Sequence, residues 1–160
     1  VPQNQRAVLV GGGYGTAPLV CLAENLKPDV KISVFIGAKT MSQIICRTDF
    51  MGVFADVETA TEDGSAGYKG DVVSLFEEKL GTGGDAVVYA CGPARMLKKI
   101  AEICLKRKTA CYVSLEEKMG CGFGTCLSCA VKVISGGKET VKRVCADGPV
   151  FNSLEVVFQP

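Results

Sequence analysis

AVLVGGGYGTAPLVCLAENL, residues 7–26, decides how the first two thirds of this chain fold. Ala7–Val10 is an unbroken apolar run, too short for a helix and without polar alternation, as in a strand covered on both faces of a parallel sheet. Gly11-Gly12-Gly13-Tyr14-Gly15 follows as a tight turn, and Thr16 is expected to cap the next helix. In that helix Leu19, Leu22, Ala23 and Leu26 recur at the spacing of one apolar face. Pro18 sits in the first turn, which has no intrahelical N–H bond to lose. A glycine turn between strand and helix aims backbone N–H groups at a pyrophosphate. The dinucleotide fingerprint G-x-G-x-x-G is incomplete, however, because Thr16 stands at its last glycine. On this loop alone, a turn needed only for packing remains open.

Outward from this unit the pattern repeats. Ile32–Ile36 reads as a second strand, Val53–Asp56 as a third, Ala86–Ala90 as a fourth and Ala110–Leu115 as a fifth. Helices are expected over Asp71–Leu80 and after Cys91-Gly92-Pro93, where Met96, Leu97, Ile100 and Ile103 share a face. Lys106, Arg107 and Lys108 complement the negative end of that second helix. The result is an α/β fold with a five-stranded parallel sheet over residues 1–116. No acid stands just past the second strand to hold a ribose; Gly37, Ala38 and Lys39 are there instead.

After Glu116 the character changes to a glycine- and cysteine-rich module, residues 117–160. Its strand-like pieces are short: Ala130–Ile134, Thr140–Val144 and Leu154–Phe158. Such a segment buries little core by itself, and a metal centre would supply the missing cross-links. Cys121, Cys126, Cys129 and Cys145 are spaced C-x4-C-x2-C-x15-C, the plant-type pattern for a 2Fe–2S cluster. Gly122 and Gly124 let the loop approach a cluster closely, and Ser128 is placed to hydrogen-bond a sulfur. A four-cysteine zinc site usually pairs two C-x2-C hairpins. Only Cys126 and Cys129 are so spaced, which favours the cluster over zinc or simple packing.

The composition narrows the chemistry further. The 160 residues include no histidine and nine cysteines, with a net charge of +1. Lack of histidine removes the Ser–His–Asp and Cys–His nucleophile systems and any Rieske-type cluster. The balanced charge gives no case for binding nucleic acid or an anionic membrane. No apolar run approaches the roughly 20 residues of a membrane span. An odd cysteine count without a secretory signal points to reduced thiols, and so to the cytoplasm. No residue presents itself as a catalytic acid, base or nucleophile.

Three segments taken together, LVGGGYGTAPL, TEDGSAGYKGDV and YACGPARML, resemble the NAD(P)-binding domain of the ferredoxin–NADP reductase superfamily. The tail VSLEEKMGCGFGTCLSCAVKV with VKRVCADGPVF is similar to the cluster module of electron-transfer subunits of NAD-dependent (class 1B) dihydroorotate dehydrogenases. Related reductase subunits carry an aspartate at the first cluster position; here it is Cys121, which favours the dihydroorotate branch. The resemblance implies that Gly11, Gly12, Gly13, Tyr14, Gly15 and Thr16 cradle the pyrophosphate of NAD. It implies that Thr61, Asp63, Gly64 and Ser65 border the cofactor and that Cys91, Gly92 and Pro93 lie beside the nicotinamide. By residue type alone, Cys91 would be a small buried hydrophobe at a strand end, and Lys39 a solvated lysine. The family also implies FAD on an N-terminal barrel and a catalytic dihydroorotate dehydrogenase partner in a heterotetramer. This chain begins at Val1 and has no such barrel, so a fragment is expected. Two other readings remain: an NAD(P)H-dependent flavin reductase subunit serving ferredoxin or sulfur compounds, and a zinc-bearing scaffold without redox function.

Overall fold

The computed structural model describes residues 6–26, 29–53, 55–81 and 86–158. β1 (Arg6–Gly12) lies between β2 (Ile32–Ala38) and β5 (Ala86–Cys91) and is parallel to both. β3 (Asp56–Thr61) pairs with β2, and a two-residue β4 (Tyr68–Lys69) with β3. On the other side β6 (Ala110–Ser114) pairs with β5. The order is β4-β3-β2-β1-β5-β6, with a seventh strand beyond β6. Five parallel strands form its centre, as expected in number, and β4 adds a sixth parallel strand at the edge. The seventh strand, β9 (Val150–Asn152), is antiparallel to β6 and comes from the cysteine-rich segment.

Both sheet faces are covered, as the continuous apolar strands require. On one face α3 (Val72–Lys79) and α4 (Ala94–Lys106) pack against Val8, Val10, Phe35, Val88 and Val113. On the other, α1 (Ala17–Asn25) and α2 (Arg47–Gly52) cover Leu9, Val34 and Ile36. Asp71 caps α3 by accepting from the Val73 and Ser74 N–H groups at 2.9 and 3.0 Å. At the end of α4, Arg107 donates to the carbonyls of Gly81 and Glu77, both at 2.7 Å.

Three expectations need correction. The third strand begins at Asp56, not Val53: Val53 closes α2 and packs against that face of the core. Its neighbour Phe54 lies outside the described residues. β3 is half-exposed near the sheet edge and carries Asp56, Glu58, Thr59 and Thr61, so it lacks the apolar run that marks a central strand. Leu154–Phe158 is not a strand but touches β7 (Ala130–Ser135) through one bridge, Val133 to Val156. Thr16 does not cap α1. Gly13–Thr16 forms a 3-10 turn, so Thr16 is itself helical and its buried Oγ1 has no hydrogen-bond partner.

Residues 117–158 add a hairpin of β7 and β8 (Lys138–Arg143), followed by a single turn, α5 (Val144–Asp147). Their apolar centre is small: Cys129, Val133, Val144 and Phe151 are buried, with Leu115 and Val156 packed against them. Among the described residues no helix is long and apolar enough to cross a membrane.

The main core sets the stability. Phe76 is fully buried and meets Phe35 edge-on, centroids 6.2 Å apart. Phe76→Ala is expected to cost about 3–5 kcal/mol, read as a lower denaturant midpoint with an unchanged slope.

Candidate functional site

The carboxyl ends of β1, β2 and β3 open into a cleft of about 780 Å³. The chain leaves β1 toward β2 on one side and returns to its other side as β5. Open α/β sheets bind ligands at such a reversal of strand order. Gly12, Gly13, Tyr14 and Pro93 line the cleft. Gly13 has φ +55° and open space around it, so its glycine serves the turn itself.

Gly11, Gly15 and Thr16 lie behind the wall rather than in it. A Cβ on Gly11 would stand 2.6 Å from Thr16 Oγ1, and one on Gly15 would stand 2.5 Å from the Cys91 carbonyl oxygen. Gly15 therefore lets the glycine turn rest directly on the Cys91-Gly92 backbone. Gly92 has φ +154°, and a Cβ there would meet the Met96 side chain at 2.7 Å. Cys91 is half-buried, and that burial pushes its thiol above the ordinary value.

Thr61, at the end of β3, and Asp63, Gly64 and Ser65 after it form a turn held largely by their own polar groups. Thr61 Oγ1 donates to the Ala66 carbonyl and accepts from its N–H, at 2.8 and 3.0 Å. Asp63 Oδ1 accepts from the Ser65 N–H and hydroxyl at 2.9 and 2.6 Å, and the hydroxyl bond holds its carboxyl below the usual range. Ser65 Oγ also accepts from Met41 N–H at 2.7 Å, which ties this turn to the segment after β2. The residue that reaches the cleft from here is Glu62, which the sequence reading passed over. Arg95 and Lys99 were passed over as well; together with Lys39 they bring three cations to the cleft. Their i, i+4 spacing put Arg95 and Lys99 on one face of α4. Nothing in the sequence said that this face overhangs the glycine turn.

The second constellation is the loop that begins beyond β6. Gly122 and Gly124 have φ of +76° and +89°, the left-handed region expected of them. The loop N–H groups turn toward sulfur. Cys121 Sγ accepts from Thr125 and Cys126 N–H at 3.3 and 3.4 Å, and Cys126 Sγ accepts from Cys121 N–H at 3.3 Å. Ser128 Oγ lies 3.2 Å from Cys126 Sγ, and Cys145 N–H donates to Cys129 Sγ at 3.5 Å.

The four thiols thus stand as two pairs, Cys121 with Cys126 and Cys129 with Cys145. Among the described residues no three cysteine or carboxylate side chains gather as a single-ion site would require. Two pairs suit a centre that divides four thiolates between two irons. The Cys126 amide, and after it those of Phe123 and Thr125, hold the Cys121 thiol down to about 6. Hydrogen bonding to Cys129 and then burial raise Cys145, which would surrender its proton on binding metal.

More than half of the chain, residues 9–102, matches the family described as oxidoreductase NAD-binding domain. The chain belongs to that family. Residues 116–157 match the iron–sulfur cluster binding domain of dihydroorotate dehydrogenase B. The two matches bear out the nicotinamide-binding and iron–sulfur expectations for an oxidoreductase of ferredoxin-reductase type. Two relatives are named dihydroorotate dehydrogenase B (NAD(+)), electron transfer subunit. The one from Caldanaerobacter subterraneus subsp. tengcongensis is 44% identical over 98% of this chain and 61% of its own length. The one from Desulforamulus reducens is 41% identical over 98% of this chain and 60% of its own. The chain thus spans about three fifths of the curated relatives it matches. A solved structure of an NADH-dependent reduced ferredoxin–NADP oxidoreductase, studied for flavin-based electron bifurcation, superposes with a TM-score of 0.82 at 32% identity. It covers 97% of this chain and 55% of that one. A cytochrome P450 reductase from Amycolatopsis, 19% identical with a TM-score of 0.55, shares the fold over 66% of this chain and 35% of its own.

Two outcomes follow within this NAD-binding oxidoreductase frame. Gly15→Ala forces the glycine turn off the Cys91-Gly92 backbone and is expected to weaken NADH binding at least tenfold, by fluorescence titration, while iron content stays unchanged. In iron-free protein, Cys121 is expected to alkylate with an apparent pKa of about 6 rather than the ordinary 9.0. Because the folded value is depressed, its contribution to holding the loop is complete above the unfolded value and is lost as pH falls through about 6. Alkylation that follows an ordinary thiol profile at Cys121 would contradict that arrangement.

Proposed function

We propose that this chain is the nicotinamide-and-cluster portion of an electron-transfer subunit that relays electrons between NAD and a dihydroorotate dehydrogenase catalytic subunit, in pyrimidine biosynthesis. The observation that carries this reading is the pairing, in one chain, of a cleft at the strand reversal lined by Lys39, Arg95 and Lys99 with a four-cysteine segment whose N–H groups donate to the sulfurs of Cys121, Cys126 and Cys129. Residues 1–116 form the nicotinamide module and 117–160 the cluster module.

In the cleft, the Gly12–Tyr14 turn and the cations Lys39, Arg95 and Lys99 receive the pyrophosphate. Glu62 accepts from a ribose hydroxyl, in place of the acid that is missing after β2. Pro93 and the Cys91-Gly92 backbone support the nicotinamide end. In the second module Cys121, Cys126, Cys129 and Cys145 hold a 2Fe–2S cluster, and the loop amides favour its negative charge. A nicotinamide exchanges two electrons as a hydride and a 2Fe–2S cluster one; FAD, which fits the family, would supply the conversion between them when bound. This chain's own work is to hold and orient; no side chain is assigned to proton transfer.

The partner docks at the cluster loop. Met119, Phe123 and Leu127 are exposed around the thiols, and exposed apolar groups beside a redox centre suit a surface buried by another subunit. The name electron transfer subunit, carried by the relatives, supports a catalytic partner, and the proposed assembly of the two is a heterotetramer. All nine cysteines are unbridged, which suits the reducing cytoplasm.

The complex of the complete flavin-containing protein with its catalytic subunit is expected to couple dihydroorotate oxidation to NAD reduction. Reduction of ferredoxin by NADH without dihydroorotate turnover would replace this reading with that of a ferredoxin reductase, which the 32% identical solved structure supports. Cys126→Ser is expected to abolish bound iron and sulfide while leaving the thermal transition of the sheet in place. Retention of both elements would remove Cys126 from the ligand set.

A further inference from the structure

Backbone bonds from Val144 and Cys145 N–H hold the segment that carries Cys145 to Cys129, and the Arg143 side chain ties it to the Cys121–Cys126 loop. Arg143 precedes Cys145 by two residues and ends β8. Its Nη1 donates to the Gly124 carbonyl at 2.9 Å, in the middle of the Cys121–Cys126 loop. Its Nε and Nη2 donate to the two carboxylate oxygens of Asp147 at 2.8 and 3.1 Å. The Arg143 backbone N–H donates to Asp147 Oδ2 at 2.8 Å as well, so one carboxylate closes the turn around Cys145 from both sides. Gly124 makes the approach possible. With φ +89°, a Cβ there would stand 2.9 Å from Ala146 Cβ and 3.2 Å from Arg143 Nη1.

This pair differs from an ordinary surface ion pair, which contributes little. The guanidinium makes bonds to two chain segments, and it keeps only 37% of its side-chain exposure, Asp147 32%. A planar fork can do this; an ammonium point charge cannot hold both partners in one fixed geometry.

We infer that Arg143 is a positioning residue for the cluster: its guanidinium locks the Cys121–Cys126 loop to the turn bearing Cys145 and stands, balanced by Asp147, as a fixed cation between those two ligand-bearing segments. The inference rests on the cluster assignment above. A four-thiolate 2Fe–2S centre is an anion that gains a further negative charge on reduction, and nearby charge sets its potential. A fixed cation favours the reduced form, and the carboxylate beside it offsets part of that effect. The two members of the pair therefore act on the potential in opposite directions, which a merely structural clamp would not do.

The test is a redox titration of the cluster, followed by its visible absorption and electron paramagnetic resonance, in the holoprotein and in Arg143→Gln, Arg143→Lys and Asp147→Asn. Arg143→Gln is expected to lower the reduced-to-oxidised ratio at a fixed ambient potential about tenfold, about 59 mV for one electron. Asp147→Asn is expected to raise it. Arg143→Lys keeps the charge and so a potential near that of the wild type, but loses the fork and releases iron faster. An unmoved potential in Arg143→Gln, or shifts of the same sign in Arg143→Gln and Asp147→Asn, overturns the inference. If Arg143→Gln holds no cluster, Asp147→Asn decides, and an unchanged or lowered potential there overturns it. Wild-type protein without iron and sulfide would instead sink the cluster assignment itself.

Discussion

The structure depends on β1 being hydrogen-bonded on both sides, to β2 and to β5, with all three strands parallel. Parallel neighbours bring their carboxyl ends to the same edge. The glycine turn after β1, the Lys39 segment after β2 and the Cys91-Gly92-Pro93 turn after β5 therefore open on one side. What converts a shared edge into a site is closeness. Gly15 has no side chain, so its backbone comes against that of Cys91 and Gly92, where any Cβ would stand 2.5 Å from a carbonyl oxygen. That contact fixes the glycine turn relative to the second turn with no side chain between them.

Much of this was legible because buried parallel strands leave an apolar run and covering helices leave a 3.6-residue period. Ala7–Val10, Ile32–Ile36, Ala86–Ala90 and the α4 face of Met96, Leu97, Ile100 and Ile103 each follow one of those rules. β3 escaped because it lies near the edge and needs no apolar run. β9 escaped because it has three residues, and its partner β6 is remote in sequence. Thr16 misled for a different reason. Propensity marks it as a cap, but the 3-10 turn makes it helical and sends its hydroxyl toward Gly11. The position that a fingerprint reserves for glycine is filled, and the required closeness is supplied by Gly11 across from it.

The site was legible to the extent that it is made of backbone. Glycine turns and cysteine spacings are local, so the sequence displays them. Glu62, Arg95 and Lys99 act through their place around a cleft assembled from distant segments, and local pattern does not carry that. Asp63 and Ser65 show the converse. Their types suggest ligand contacts, yet their oxygens are used to close their own turn and to hold Met41. Such a turn holds the segment after β2 through Met41 beside the cleft.

β9 gives the cluster module its orientation. The apolar centre of that module has four buried residues among the described ones, too few to fold unaided, and it borrows order from the main sheet through β6. The register makes the consequence specific. Gly11 pairs with Cys91, Cys91 with Ser114, and Ser114 with Val150, so one row crosses the sheet from the glycine turn to the cluster module. Adjacent strands are about 4.8 Å apart, and three steps span roughly 14 Å. A flexible linker would have left that separation undefined. A seventh strand sets it by hydrogen bonds, and since Leu115 N–H also donates to the Pro149 carbonyl at 2.9 Å, the chain is held on both sides of the point where it leaves the sheet. The placement of Val150 relative to the glycine turn is thereby a property of the sheet register.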